Sequence, residues 1–441
     1  MEQAAPHACN RFEEVVESGP PVRPLDFPPP VVRRGVRVDA LVIHPATGRR
    51  EVLAGVIHRE DLQAGGVGAG SSGSGGGSPG RAGGLTTTAG GGGGWDTTIQ
   101  QPVPQAGEKI EYVAYWPQRR LQDAIYGSVW ACLLLKRHYG PAADDAARAA
   151  GVAPGSPSAP IVWEIVGTHV AIKMVEWARV HRARGRLLED PIKEIAAMQL
   201  LGARHPHVLG SAEVLQDDDY LFSVMPYCSG GDLFGVVVAY AEESGGDGGM
   251  SEPIARYWFR QILQGLQYIQ SMGVCHRDLS LENILVNEEN SLIIDMGMCL
   301  RVPYNSPNGD GSVVDVTAGT MRRLMKPQGV CGKHNYMSPE IYRNERPFDG
   351  FAIDLWAAGV ILYIMLTGFP PYDNANMADQ RFRIIVEGSL VEQLKAWDIN
   401  LSDEAGNLLQ SMLRLNPAER LTLAQVMSHP WVLYGEVQIP R

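Results

Sequence analysis

The chain has no C-x-x-C pair, no basic excess, no apolar leader and no apolar run long enough to span a membrane free of charge. Six cysteines (Cys9, Cys132, Cys228, Cys275, Cys299, Cys331) are scattered over 441 residues. That spacing argues for free thiols in a reducing compartment and against a disulfide framework or a zinc site. The formal net charge of −11 lacks the basic face that non-specific nucleic-acid binding requires, and it suits a partner carrying positive charge. The acidic start MEQAAPHACNRFEEVV has no apolar core and predicts no signal peptide. The longest apolar run, FAIDLWAAGVILYIML at 351–366, is interrupted by Asp354 and reads as a buried helix. A soluble intracellular chain with no membrane span is expected, cytoplasmic with the nucleus left open.

What the chain does have is unevenly distributed. Residues 64–94 are dominated by glycine and serine, cannot bury enough apolar surface to order, and predict a disordered linker over 64–107. Before it, the segment 1–63 holds two β-type runs around a P-A-T-G turn at 36–60, enough for a small hairpin. A lone hairpin is marginal in water, so it either docks or binds a partner. From about Glu108 the pattern is dense. EYVAYW, SVWACLLLK and IVWEIVGTHVAIKMVEW read as strands, with a Pro/Ala/Gly-rich insertion at about 137–161. DPIKEIAAMQLL reads as a helix capped by Asp190, with Pro191 in its first turn. After YLFSVMPY, helical patterns dominate at 254–273, 351–368 and 402–413. Strands first, then a hinge-like 226–231, then helices predict an α+β chain of two packed lobes with a cleft between them.

Three short motifs carry chemistry. VAIK (170–173) ends a strand in a lysine; CHRDLSLEN (275–283) packs a cation, two acids and an amide into nine positions; IIDMG brings Asp295 17 residues after Asp278. Phosphoryl transfer from Mg-ATP needs a lysine on the phosphates, oxygen ligands on the metal, and a carboxylate to orient the attacking hydroxyl.

On these motifs the chain resembles the eukaryotic protein kinase family, serine/threonine type, and is similar to the calcium/calmodulin-dependent kinase group. The resemblance covers roughly 109–434, with a β-rich N-lobe carrying one main helix (about 109–227) and a helical C-lobe (about 228–434). It implies ATP and Mg2+ as cofactors and proteins as substrates. It makes Lys173 the phosphate-binding lysine, Glu194 its helix partner, Asp278 the catalytic base, and Asn283 and Asp295 the magnesium ligands. It makes Asp354 the aspartate that holds the catalytic loop and pairs Arg420 with Glu340. Gly127, Val129, Ala171, Met225, Pro226, Cys228, Asp232 and Leu285 then line the nucleotide pocket, with Met225 as gatekeeper.

The family pattern breaks in places. QDAIYGSV retains Gly127 but carries Gln122 and Ala124 where glycines are usual, which predicts a stiffer phosphate loop. Met296 replaces an aromatic of the magnesium motif, a neutral exchange. Ser280 stands where serine/threonine kinases carry a lysine, and Lys333 where they carry a threonine. The pair reads as exchanged, with Lys333 returning the missing charge to the γ-phosphate. Arg277 is placed to ground a loop phosphate, yet Gly329 occupies the usual phosphothreonine position, leaving Ser306, Ser312, Thr317 and Thr320 as candidates. Asp232 and Glu282 stand where related kinases read basic residues near the target. Against an active kinase stands a kinase-fold scaffold, weakly active or inactive.

Overall fold

The computed structural model describes residues 15–16, 19–60, 113–156, 158–243 and 248–440; the expected linker at 64–107 lies outside them. Strand β1 (Val15–Val16) is followed by β2 (Arg33–Ile43), β3 (Arg50–Arg59), β4 (Val113–Ala124), β5 (Gly127–Arg137), β6 (Val162–Glu176), β7 (Glu213–Gln216) and β8 (Tyr220–Pro226). Strands β2 to β8 close into a barrel in the order β2-β3-β4-β5-β6-β8-β7. Of the two alternatives left open for the hairpin at 36–60, docking or binding a partner, the fold shows docking on the β-rich lobe. β3 adds antiparallel to β4 through Ile57 and His58, while β2 runs parallel to β7 through Arg33 and Arg34 and to β6 through Leu41, Val42 and Ile43. An unpaired hairpin leaves two open edges, and docking at both ends of the sheet removes them. The inward side chains Ala40, Val42, Leu53 and Val56 pack with Ala114, Leu135 and Trp163.

The insertion contains helix α1 (Pro141–Ala149), opened by Gly140 and by Pro141 at its first position. A short helix α2 (Trp177–Ala183) leads to α3 (Pro191–Leu201), the main helix of this lobe. Asp190 caps α3, its carboxylate accepting from the Ile192 and Lys193 amides at 2.9 and 3.3 Å.

The second lobe is helical. It comprises α4 (Leu233–Glu243), α5 (Glu252–Ser271), α6 (Pro339–Arg343), α7 (Gly350–Thr367), α8 (Gln380–Val386), α9 (Leu390–Ala396), α10 (Asp403–Met412), α11 (Leu423–Ser428) and α12 (Pro430–Leu433). Among the described residues α7 alone is apolar and long enough to cross a membrane, and all of it is buried in this lobe. Asp349 caps its start and Gly368, at φ +82°, ends it in the left-handed conformation. Short strands sit at the lobe junction: β9 (Val274–Cys275), β10 (Ile284–Asn287), β11 (Asn290–Ile293) and β12 (Leu300–Arg301). The segment that follows adds β13 (Tyr304–Asn305), β14 (Val313–Val314) and β15 (Arg322–Arg323).

Candidate active site

Side chains directly opposite each other in an antiparallel pair share a face of the sheet. Lys173 on β6 is opposite Val129 on β5, and Ala171, two residues back on the same face, is opposite Met225 on β8. One sheet face therefore carries Val129, Ala171, Lys173 and Met225. Below it, Asp232 and Leu285 form an isolated bridge, with Pro226 ending β8 and Cys228 just beyond. The Asp232 carboxylate accepts from the Gly235 amide at 2.8 Å, so it also serves the start of α4.

The Lys173 ammonium donates to both oxygens of Glu194 at 2.7 Å, with both side chains largely out of water. Burial pulls the lysine down, but the Glu194 and Asp295 carboxylates outweigh it and push the ammonium up to about 12. Burial raises the Glu194 carboxyl while Lys173 opposes it. With two charged N–H bonds at this length the two groups form an ion pair.

The catalytic-loop candidate is anchored from beneath. Asp354 on α7 accepts from the His276 and Arg277 amides at 2.7 and 2.9 Å. Burial pushes its carboxyl up to about 6 against those bonds and the neighbouring cations. The His276 ring bonds the Ile294 carbonyl at 2.8 Å and accepts from the Asp278 amide at 3.2 Å, which ties this loop to the backbone just before Asp295. Arg277 and Asp295 both have left-handed backbones, φ +67° and +65°. Non-glycine residues hold that geometry only where the surroundings enforce it.

Asn283 donates its amide to the Asp278 carbonyl at 2.7 Å and to Asp278 Oδ2 at 3.1 Å. The other Asp278 oxygen, Oδ1, is buried with no hydrogen-bond partner. Burial raises this carboxyl, opposed by Lys333 and His276. Lys333 donates to the Ser280 hydroxyl at 2.7 Å and lies 4.0 Å from Glu282. The loop carrying Lys333 comes close: a Cβ on Gly332 (φ +88°) would stand 3.0 Å from the Arg277 carbonyl and 3.3 Å from Asp278 Oδ1. Arg420 binds Glu340 at 2.7 Å, and Met296 is buried in the helical core.

Three positions read differently in three dimensions. Gly127 is needed by packing, since a Cβ there would stand 1.8 Å from the Met174 carbonyl. The Tyr126 ring beside it is buried and its hydroxyl donates to the Glu189 carbonyl at 2.6 Å, pinning the tip of the β4–β5 turn. Arg277 donates to the Met298 and Gly329 carbonyls at 3.3 and 3.0 Å rather than to a hydroxyl. Among the phosphosite candidates, Ser312 and Thr317 donate to Asp310 and Asp315, Thr320 bonds the Asn305 carbonyl, and Ser306 is buried.

Glu189 escaped the sequence reading. Its side chain lies against Gly297, and Asp295 acts electrostatically on Glu189, Glu194 and Asp278 together. Only its place one residue before the Asp190 cap could have signalled it. Asn283 and Asp295 offer the hard oxygen donors that magnesium prefers. Asn283 spends its N–H on Asp278 and keeps its carbonyl oxygen for another partner. The residues fit the ion, although among the described residues no three His, Cys, Asp or Glu side chains are pre-arranged around a metal.

The protein kinase domain family model matches residues 162–432, more than half of the chain. The chain belongs to the protein kinase family. It is 33% identical over 272 residues to CBL-interacting protein kinase 16 of Oryza sativa subsp. japonica, covering 62% of this chain and 52% of that protein. It is 31% identical over 272 residues to maternal embryonic leucine zipper kinase of Xenopus laevis, covering 62% and 36%. Against the serine/threonine-protein kinase RAD53 of Saccharomyces cerevisiae (strain ATCC 204508 / S288c) it is 31% identical over 249 residues, covering 56% and 28%. This kinase-family chain spans about half the length of the first of these relatives and less of the others. The family match begins at the start of β6, so the β4–β5 turn with Gly127 falls outside it.

Burial, reinforced by Asp295, Glu194 and Asp278 and opposed by Lys173, pushes the Glu189 carboxyl up to about 7. A carboxyl raised on folding contributes stability that is fully present below its unfolded value and lost as pH rises through about 7. Glu189→Gln should therefore gain stability relative to the parent between pH 5 and pH 8, by about 1 kcal/mol after discounting for solvent screening of a half-exposed group. Urea denaturation at both pH values measures it; a difference that does not change with pH would show that Glu189 feels no such repulsion.

Proposed function

We propose that this chain transfers the γ-phosphate of Mg-ATP to serine or threonine hydroxyls of protein substrates. The observation that carries the reading is the closed Lys173–Glu194 ion pair, found together with an Asp278 that has one oxygen held by Asn283 and the other unpartnered. In this reading Lys173, fixed by Glu194, orients the α- and β-phosphates. The shared face of Val129, Ala171 and Met225 covers the base from one side and Leu285 from the other. The Pro226 carbonyl and Cys228 amide meet its polar edge, and Asp232 the ribose. Asn283 and Asp295 would hold magnesium, which neutralises charge on the phosphates. The Asp278 carboxylate accepts the hydrogen bond of the incoming hydroxyl and aligns it. No observation favours the scaffold alternative. The described cysteines are all free, which supports an intracellular, cytoplasmic setting.

Lys333 completes the set as the cation at the transferred phosphoryl group. Its 2.7 Å bond to Ser280 supports the exchange of the two positions, because the ammonium and the hydroxyl meet directly.

Three measurements test these assignments. Incubated with labelled ATP, magnesium and a generic basic protein, the parent should transfer phosphate and Asp278→Asn should lose at least about 10³-fold; a parent inert with magnesium would end the kinase reading. Lys333→Ala should lower kcat about 10²-fold with little change in KM for ATP, and Ser280→Lys/Lys333→Thr should restore most of it. Full kcat in Lys333→Ala would remove Lys333 from the mechanism. Asp232 and Glu282 already have intramolecular partners in the Gly235 amide and Lys333, so a preference for basic residues near the target should be mild in a positional peptide library. A flat profile would dismiss it.

A further inference from the structure

Residues 19–32, GPPVRPLDFPPPVV, contain six prolines and join the barrel to the segment between Asp295 and Glu340. From the barrel outwards, Val32 is buried against Tyr126 and Ile195 in one cluster. Val31 exchanges two hydrogen bonds with the Gln199 side chain on α3, both 2.7 Å. Phe27 packs on the core of the helical lobe. The Leu25 amide donates to the Arg301 carbonyl at 3.0 Å, and Arg301 donates to the Asp26 carbonyl at 3.0 Å. The Val22 amide donates to the Leu324 carbonyl at 3.2 Å, and Val22 accepts from the Lys326 amide at 2.9 Å. Arg323 donates to the Pro20 carbonyl at 2.7 Å. Beyond Pro20, Val15 and Val16 pair parallel with Arg322 and Arg323.

The division of labour follows from the residues. Prolines cannot donate, and the non-proline positions Val22 and Leu25 supply the N–H groups that reach the segment. Prolines also keep the free strap extended, so little conformational entropy is lost when it docks. The segment itself is held by Arg322 on Asp349 at 2.9 Å, by the Met325–Phe348 pair, and by Arg277 on the Gly329 carbonyl. Each of these attachments uses backbone groups or resident side chains.

We infer that the outer edge of the activation segment is a strand-addition surface whose occupant is the chain's own proline-rich strap, 19–32, and that this pairing holds the segment and α3 in the phosphotransfer arrangement without a phosphate on the loop. The strap touches α3 five residues from Glu194 and the segment on both sides of β15, so it ties the ion pair to the loop that carries Lys333. The functional half of this inference rests on the kinase reading above.

The test uses the full chain, with Val22→Pro/Leu25→Pro to delete the two N–H donors while leaving the barrel from Arg33 onward untouched. Amide hydrogen exchange over 320–328 should accelerate at least about tenfold, phosphotransfer should fall at least about tenfold, and thermal melting should stay cooperative. Parent protein stripped of phosphate by a phosphatase, and verified by mass spectrometry, should keep its full rate. Arg323→Gln, which removes the bond to Pro20, should move exchange and rate in the same direction by less and serves if the double variant does not fold. Unchanged exchange, faster exchange with full activity, or loss of the parent's activity on dephosphorylation would each overturn the inference. A parent inert from the outset would sink the kinase reading instead, and the exchange data would still decide whether the strap holds the segment.

Discussion

A lysine withdrawn from water must find a negative partner, and that requirement organises the β-rich lobe. Lys173 projects from strand β6, and the carboxylate that takes both of its bonds is Glu194 on α3. Breaking one side of such a buried pair costs about 3–5 kcal/mol, a large share of the 5–15 kcal/mol typical of a whole domain. The helix is therefore held by charge as well as by packing. Its neighbours reinforce the position: Asp190 caps its start, Tyr126 bonds the backbone of Glu189 just before it, and the strap grips Gln199 near its end.

Around that pair the charges do not balance. Glu189, Glu194, Asp278 and Asp295 act on one another across a small volume in which Lys173 is the central cation. Such a site raises the proton affinity of its acids and favours anything that brings in positive charge. In the proposed reading, magnesium would do so together with a nucleotide. Lys333 does so from the other side, through a side chain long enough to reach the catalytic loop from a neighbouring segment. In the proposed exchange with Ser280, position in space rather than position in the chain is what the electrostatic role demands.

The two additions to the familiar bilobal plan lie ahead of the matched domain. The hairpin β2–β3 converts an open sheet into a closed barrel, and the strap continues from it down to the helical lobe. Both use free edges. An open strand edge presents unpaired N–H and C=O groups that some segment will cover, and here the chain covers its own. The consequence is a β-rich lobe tied to the segment between Asp295 and Glu340 by the stretch of backbone that leads into the hairpin closing its sheet.

Much of this was legible in the order of residue types. Strand-like runs, then a hinge, then helical periodicity announce two lobes, and the resemblance to the protein kinase family singles out Lys173, Glu194, Asp278, Asn283 and Asp295 within their motifs. Asp190 and Pro191 mark the start of α3 by local rules that need no tertiary knowledge. Burial of α7 follows from apolar residues all round the helix, with Asp354 its single charged residue. What only the folded chain decided are the meetings between distant segments: Glu189 with Gly297, the hairpin with both ends of the sheet, the strap with β15. The reason is physical. Side chains differ from residue to residue and so write a readable pattern, whereas strap and hairpin dock through backbone N–H and C=O groups that are alike at nearly every position, and only geometry selects their partners.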